Sequence, residues 1–165
     1  MLLKNVDSFE FVIFAFVAAG PVEARNYAFP EKNPTATVVI PDSWDVDEIE
    51  FGYTASSPDE DIIFTVETAS ASRLDRMMEQ NMQWLKEQDI VPKGKPKEQE
   101  ININVIAATL FTYEATDPDG DTVFEFVIFP AGQGRVVLMS LWGSDEARAE
   151  NKKEIDIIIN SIKSI

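Results

Sequence analysis

The sequence has no cysteine, which excludes a disulfide framework, a thiol nucleophile, a thiolate metal site and the lipid-modified cysteine of a bacterial lipoprotein. It has no histidine either, so a Ser-His-Asp triad, a histidine general base and the usual zinc and non-haem iron sites cannot be built from it. Positive charge is scarce: 14 Lys and Arg stand against 29 Asp and Glu, for a net charge of −15. Acidity on that scale opposes nucleic acid or anionic lipid as a partner. The long apolar run, residues 11–19, "FVIFAFVAA", is nine residues. As a helix it would rise about 13 Å, against a bilayer core of roughly 30 Å, so no stable membrane span is expected.

What is present points to export and to one folded domain. The apolar run is broken by Gly20-Pro21 and followed by Val22, Glu23 and Ala24, with small residues where a signal peptidase would cut. Residues 1–24 therefore read as a signal peptide, although Lys4 is outnumbered by Asp7 and Glu10 in the region that usually carries positive charge. A periplasmic or secreted location follows. The remaining chain, residues 25–165, fits a single globular domain, in a sequence that is 45% apolar and 26% charged overall.

Along that domain, residues 25–33 show no period and read as a loop. "TATVVI" at 35–40 is β-branched and predicts a strand. Pro41 removes a backbone donor and Asp42-Ser43 can turn the chain, which places Trp44 just past the strand end. That ring either covers the open end of a sheet or stacks on a ligand or partner. Residues 48–55 and 61–69 alternate as strands around a hairpin-type "SSPDE", with Ile49, Phe51 and Tyr53 sharing a face. Ser72 is an expected N-cap for a helix to about residue 88, with Leu74, Met77, Met78, Met82 and Leu85 on one face and Trp84 widening it. Residues 89–99 read as an exposed loop. Four strands at 100–106, 108–115, 122–129 and 135–142 form a meander, and Ser144 or Asp145 caps a last helix through about residue 163. Ile155, Ile158, Ile159 and Ile162 form its buried stripe. The expected fold class is α+β: a largely antiparallel β-sheet covered by two main helices.

A strand ending in "IPDSW", a strand pair, a helix, an antiparallel meander and a last helix ending in "IINSIK" resembles the PsbP-like superfamily, which includes many exported bacterial proteins. The resemblance spans residues 35–163. It implies an α/β sandwich and a tendency to act by binding other proteins, and it carries over no catalytic residue.

"DPDGD" offers the candidate metal ligands Asp117, Asp119 and Asp121, spaced like the first ligands of an EF-hand loop. The glycine and glutamate that such a loop needs further on are replaced by Thr122 and Ile128, and Pro118-Asp119-Gly120 is strong turn chemistry. A hairpin turn is the expected reading, and no cofactor is expected. Between Lys32 and Arg73 there is no basic residue and there are nine acids. Such a face suits docking of another envelope protein with a basic surface. Protein or peptide binding without catalysis is thus the leading expectation. A small-ligand or calcium module near Trp44 and a carboxylate-based hydrolase are the alternatives.

Overall fold

The computed structural model describes residues 21–165. The apolar run of the expected signal peptide lies outside the described residues. Eleven strands and three α-helices follow among them: β1 (Ala24–Phe29), β2 (Ala36–Pro41), β3 (Asp45–Ile49), β4 (Gly52–Ser56), β5 (Ile63–Ser70), α1 (Leu74–Glu87), β6 (Val91–Pro92), β7 (Lys97–Ile103), β8 (Ile106–Asp117), β9 (Gly120–Gly132), β10 (Arg135–Gly143), α2 (Asp145–Glu150), α3 (Lys152–Ser161) and β11 (Lys163–Ser164).

Eight strands make one antiparallel sheet in the order β3-β4-β5-β10-β9-β8-β6, with β7 also paired to β8. The alternation of β10 divides the protein into layers. Val137, Met139 and Leu141 face a core shared with β1, β2, α3 and the residue that follows it, which supply Phe29, Val38, Ile40, Ile155, Ile158 and Ile162. Leu138 and the half-buried Trp142 face the other way, toward Phe124, Phe126 and the Met77 and Leu85 of α1. A three-stranded sheet, β1-β2-β11, completes the first side. This is the α+β arrangement of antiparallel sheet and two main helical elements expected from the sequence.

The structure answers why "TVVIP" stops where it does. Pro41 is the last residue of β2, paired to Ala24 on one side, beyond the short reach of β11 on the other. Trp44 N–H then donates to the Pro41 carbonyl at 3.1 Å, closing the turn. Trp44 is 4% exposed and packs in the first core. At the far end of the chain, the Ser161 hydroxyl accepts from Val39 N–H at 2.7 Å, so the last helix is tied to the same strand. The two segments that carry the family resemblance are therefore in contact.

Several boundaries differ from expectation. Residues 24–29 form β1 rather than a loop; "ARNYAF" carries no clear alternation, and the pairing partner β2 supplies what so short a pattern could not. Residues 48–55 are two strands, not one, broken at Glu50-Phe51. Glu50-Phe51 is the turn that pairs β3 back onto β4, and it delivers Gly52 to a position where a Cβ would lie 1.8 Å from the Val66 carbonyl oxygen, an approach only glycine allows. Ile49 and Tyr53 consequently lie on opposite faces, with Tyr53 against Tyr27 at 5.0 Å between ring centres. The β7–β8 turn sits at Asn104-Val105, where Asn104 adopts φ +55° and Val105 is 96% exposed; an apolar valine concealed it. Ser72 is not a cap, because a single 3₁₀ turn, Ala71–Arg73, precedes α1. Part of the expected loop at 89–99 is strand, as β6 and the start of β7. The last helix is divided at Asn151, whose side chain donates to the Ala147 carbonyl and to Asp59. Ser144 is its N-cap, accepting from Ala147 N–H at 3.1 Å.

Candidate functional site

Helix α1 covers the β10, β9 and β8 part of its side of the large sheet, reaches β5 at Ala69 and Glu67, and leaves β3, β4 and the Ile63–Thr65 part of β5 open as a groove floor. The register lays out that bare face in rows. Asp45, Ser56 and Ile63 form one row; Asp47, Thr54 and Thr65 the next; Ile49, Gly52 and Glu67 the third. The result is a groove of about 490 Å³ whose floor is this sheet and whose wall is Gln80, Asn81 and Trp84 of α1. The Thr54 and Thr65 hydroxyls lie 3.2 Å apart on the floor.

Charge in the groove has one sign. Asp45, Asp47, Glu50 and Glu67 line it, and no lining residue is Lys or Arg. Arg73 and Arg76 belong to a smaller hollow that adjoins it at Glu50, Phe51 and Gln80, with the Arg73 guanidinium 5.6 Å from the Phe51 ring centre. Among the described residues neither Asp45 nor Asp47 forms an ion pair. Glu67 sits deepest. Burial pushes its carboxyl above the usual glutamate range, and the hydrogen bond from Asn81 Nδ2, at 2.9 Å, opposes the shift only in part. Trp84, 39% exposed, stands at the wall with its edge against Trp142, ring centres 6.3 Å apart. Carboxylates beside an exposed indole face suit a cation, by ion pairing and cation–π attraction together.

The residues singled out from sequence fall elsewhere. Asp117 and Asp121 flank the β8–β9 hairpin: Asp117 Oδ1 accepts from Asp119 and Gly120 N–H at 2.9 and 3.1 Å. Asp121 pairs with Lys93 at 2.7 Å. These aspartates thus have turn and ion-pair roles, and among the described residues no three acidic side chains cluster as a metal site would require. Trp44 lines neither this groove nor the second one, an apolar hollow of about 590 Å³ between α1 and β6 formed largely by Met78, Met82, Ile90, Val91 and Pro92. In the sequence Glu67 reads as one of the acids of its segment and Trp84 as part of a helix face, and neither reads as a site residue. The available signal was Glu67 within an apolar strand, a carboxylate at a position that half-buries.

No family model matches the sequence, and no characterised protein matches it at the level of sequence. Solved structures do match. Cyanobacterial PsbP (CyanoP) from Synechocystis sp. PCC 6803 aligns with TM-score 0.59 at 9% identity, over 90% of this chain and 96% of that one. The chain has the PsbP-like fold. A Bacteroides thetaiotaomicron protein aligns with TM-score 0.59 at 16% identity over 87% of this chain, which spans about half (49%) of that longer one. LpqN, involved in cell envelope biogenesis of Mycobacterium tuberculosis, aligns with TM-score 0.50 at 12% identity, over 86% of this chain and 91% of LpqN. At these identities the PsbP-like likeness speaks for architecture. No described helix is long and apolar enough to cross a membrane.

Proposed function

We propose that this chain is an exported, non-enzymatic binding protein of the cell envelope, and that its β3-β4-β5 groove receives basic side chains of a partner protein. One observation carries the reading: a concave half-face of sheet, left open by α1, lined by four carboxylates and no cation. The leader-like residues 1–24 support export, as does the PsbP-like fold shared with an envelope-biogenesis protein. Electrostatic complementarity in such a groove raises association rate and rejects acidic partners. Trp84 makes the reading measurable, because a cation seated beside it changes indole fluorescence. A lysine-rich peptide is expected to quench Trp84 in a salt-dependent way, and Asp45→Asn/Asp47→Asn to reduce the effect. Quenching that is indifferent to salt and to both substitutions would defeat the proposal. The export half is checked by N-terminal sequencing of protein recovered from its host, expected to begin at Arg25.

A second reading, a carboxylate-based hydrolase, draws on Glu67 alone. A carboxyl whose protonation is favoured by burial is the pattern of a general acid. It requires turnover of chromogenic glycosides by the wild-type protein that Glu67→Gln abolishes.

A further inference from the structure

Strand β3 is the outer strand of the large sheet, and among the described residues it pairs with β4 alone. Its other side presents unpaired backbone N–H and C=O groups, which is a template for an added strand. Edge strands are protected from self-association by charge, and this one reads Asp45-Val46-Asp47-Glu48-Ile49. A second copy of β3 laid against it would place carboxylates opposite carboxylates, an arrangement that repels. The same charges attract a basic strand. The edge therefore refuses its own copy and selects a partner of opposite sign.

The pleat specifies that partner further. Asp45, Asp47 and Ile49 point to the groove face, while Val46 packs toward the first core from the other face. Groove-facing residues along an added strand recur every second position, about 6.8 Å apart. Resting on the proposed cation-binding role of the groove, we infer that β3 docks an extended segment of a partner protein by strand addition, with Lys or Arg at alternate positions facing Asp45 and Asp47 and an apolar residue between them beside Val46. The basic side chains then lie over the rim of the groove, where Arg73 and Arg76 do not compete, since those two sit at the Glu50 and Phe51 end. The chain's own first twenty residues hold Lys4 against Asp7 and Glu10 and offer no such pattern.

The test uses four short peptides titrated into the purified protein: one alternating lysine with valine and threonine, two versions of it N-methylated on the backbone nitrogens of one edge or the other, and a version with glutamate in place of lysine. The two methylated isomers cover both docking orientations. Binding is read by Trp84 fluorescence and by hydrogen-exchange protection of the β3 amides. Strand addition predicts that the lysine peptide binds and protects alternate β3 amides, that at least one methylated isomer loses this protection, and that the glutamate peptide is inert. Asp45→Asn/Asp47→Asn should weaken binding about tenfold, the combined effect of two cross-strand ion pairs. If the lysine peptide and both methylated isomers bind alike and β3 stays unprotected, strand addition is wrong and the groove reading stands. If no lysine peptide binds, or the glutamate peptide binds as well, both are wrong.

Discussion

Replacing Arg148 by methionine removes a guanidinium and keeps most of its aliphatic volume. In the folded chain that group ties three elements together. Its Nε donates to the Gly143 carbonyl at 3.0 Å, one terminal nitrogen donates to Glu125 at 2.7 Å, and the other donates to the Val123 and Leu141 carbonyls at 3.1 and 3.0 Å. The ion pair is mostly buried, with side-chain exposures of 17% for Arg148 and 24% for Glu125. Hydrogen bonds to charged groups contribute about 1.5–3 kcal/mol each, but they do not add, and here water reaches part of the group. Removing one partner of a buried pair costs about 3–5 kcal/mol, largely from the charge left behind. The low end applies to a pair with this much exposure, so Arg148→Met should cost about 3 kcal/mol and lower Tm by roughly 10 °C. Urea unfolding followed by tryptophan fluorescence measures it. Glu125→Gln in the Arg148→Met background should recover part of the loss, because it removes the stranded carboxylate, with a coupling of about 1–2 kcal/mol. A loss below about 1 kcal/mol, or no recovery in the double variant, would refute the reasoning.

Trp44→Ala should cost about 3–5 kcal/mol as a large aromatic truncation in a core; Trp44→Phe should cost far less, because Trp44 Nε1 is buried without a hydrogen-bond partner and its loss removes no bond. Denaturant midpoints compare the two, and equal losses would disprove the argument. Glu67 has a folded-state pKa raised above its unfolded value near 4.5, so stability is highest below that value and declines as pH rises through the folded one. Glu67→Gln should therefore raise Tm at neutral pH while weakening the lysine peptide, and a lowered Tm would count against a buried, costly charge. Asp59 behaves oppositely: hydrogen bonds from Ser57 and Asn151 hold it below 3.8, so its contribution is present above that pH and lost as pH falls through the folded value. Asp59→Asn should flatten the acid limb of a Tm-versus-pH curve, and an unchanged limb would show that the loop-to-helix link contributes nothing.

Much of this architecture was legible because it is local. Alternation over residues 122–129, a proline that cannot continue a ladder at 41, and a serine placed to cap residue 147 each follow from backbone chemistry within a few positions. Features that depend on a distant partner were not legible. β1 is a strand because β2 lies beside it, and position 52 must be glycine because the Val66 carbonyl crosses there. Arg148 reads as one more surface cation until β9 and β10 bring three carbonyls and Glu125 around it.

The candidate site shows the same division. The excess of acids between Lys32 and Arg73 was visible in composition, but composition does not say which of them share a face. Pairing of β5 with β10, separated by α1 and four strands of sequence, sets the strand order and leaves β3 and β4 beyond the width one helix can cover. That decision, made by long-range pairing rather than by any local propensity, opens the groove, buries Glu67 at its base and leaves an acidic edge free.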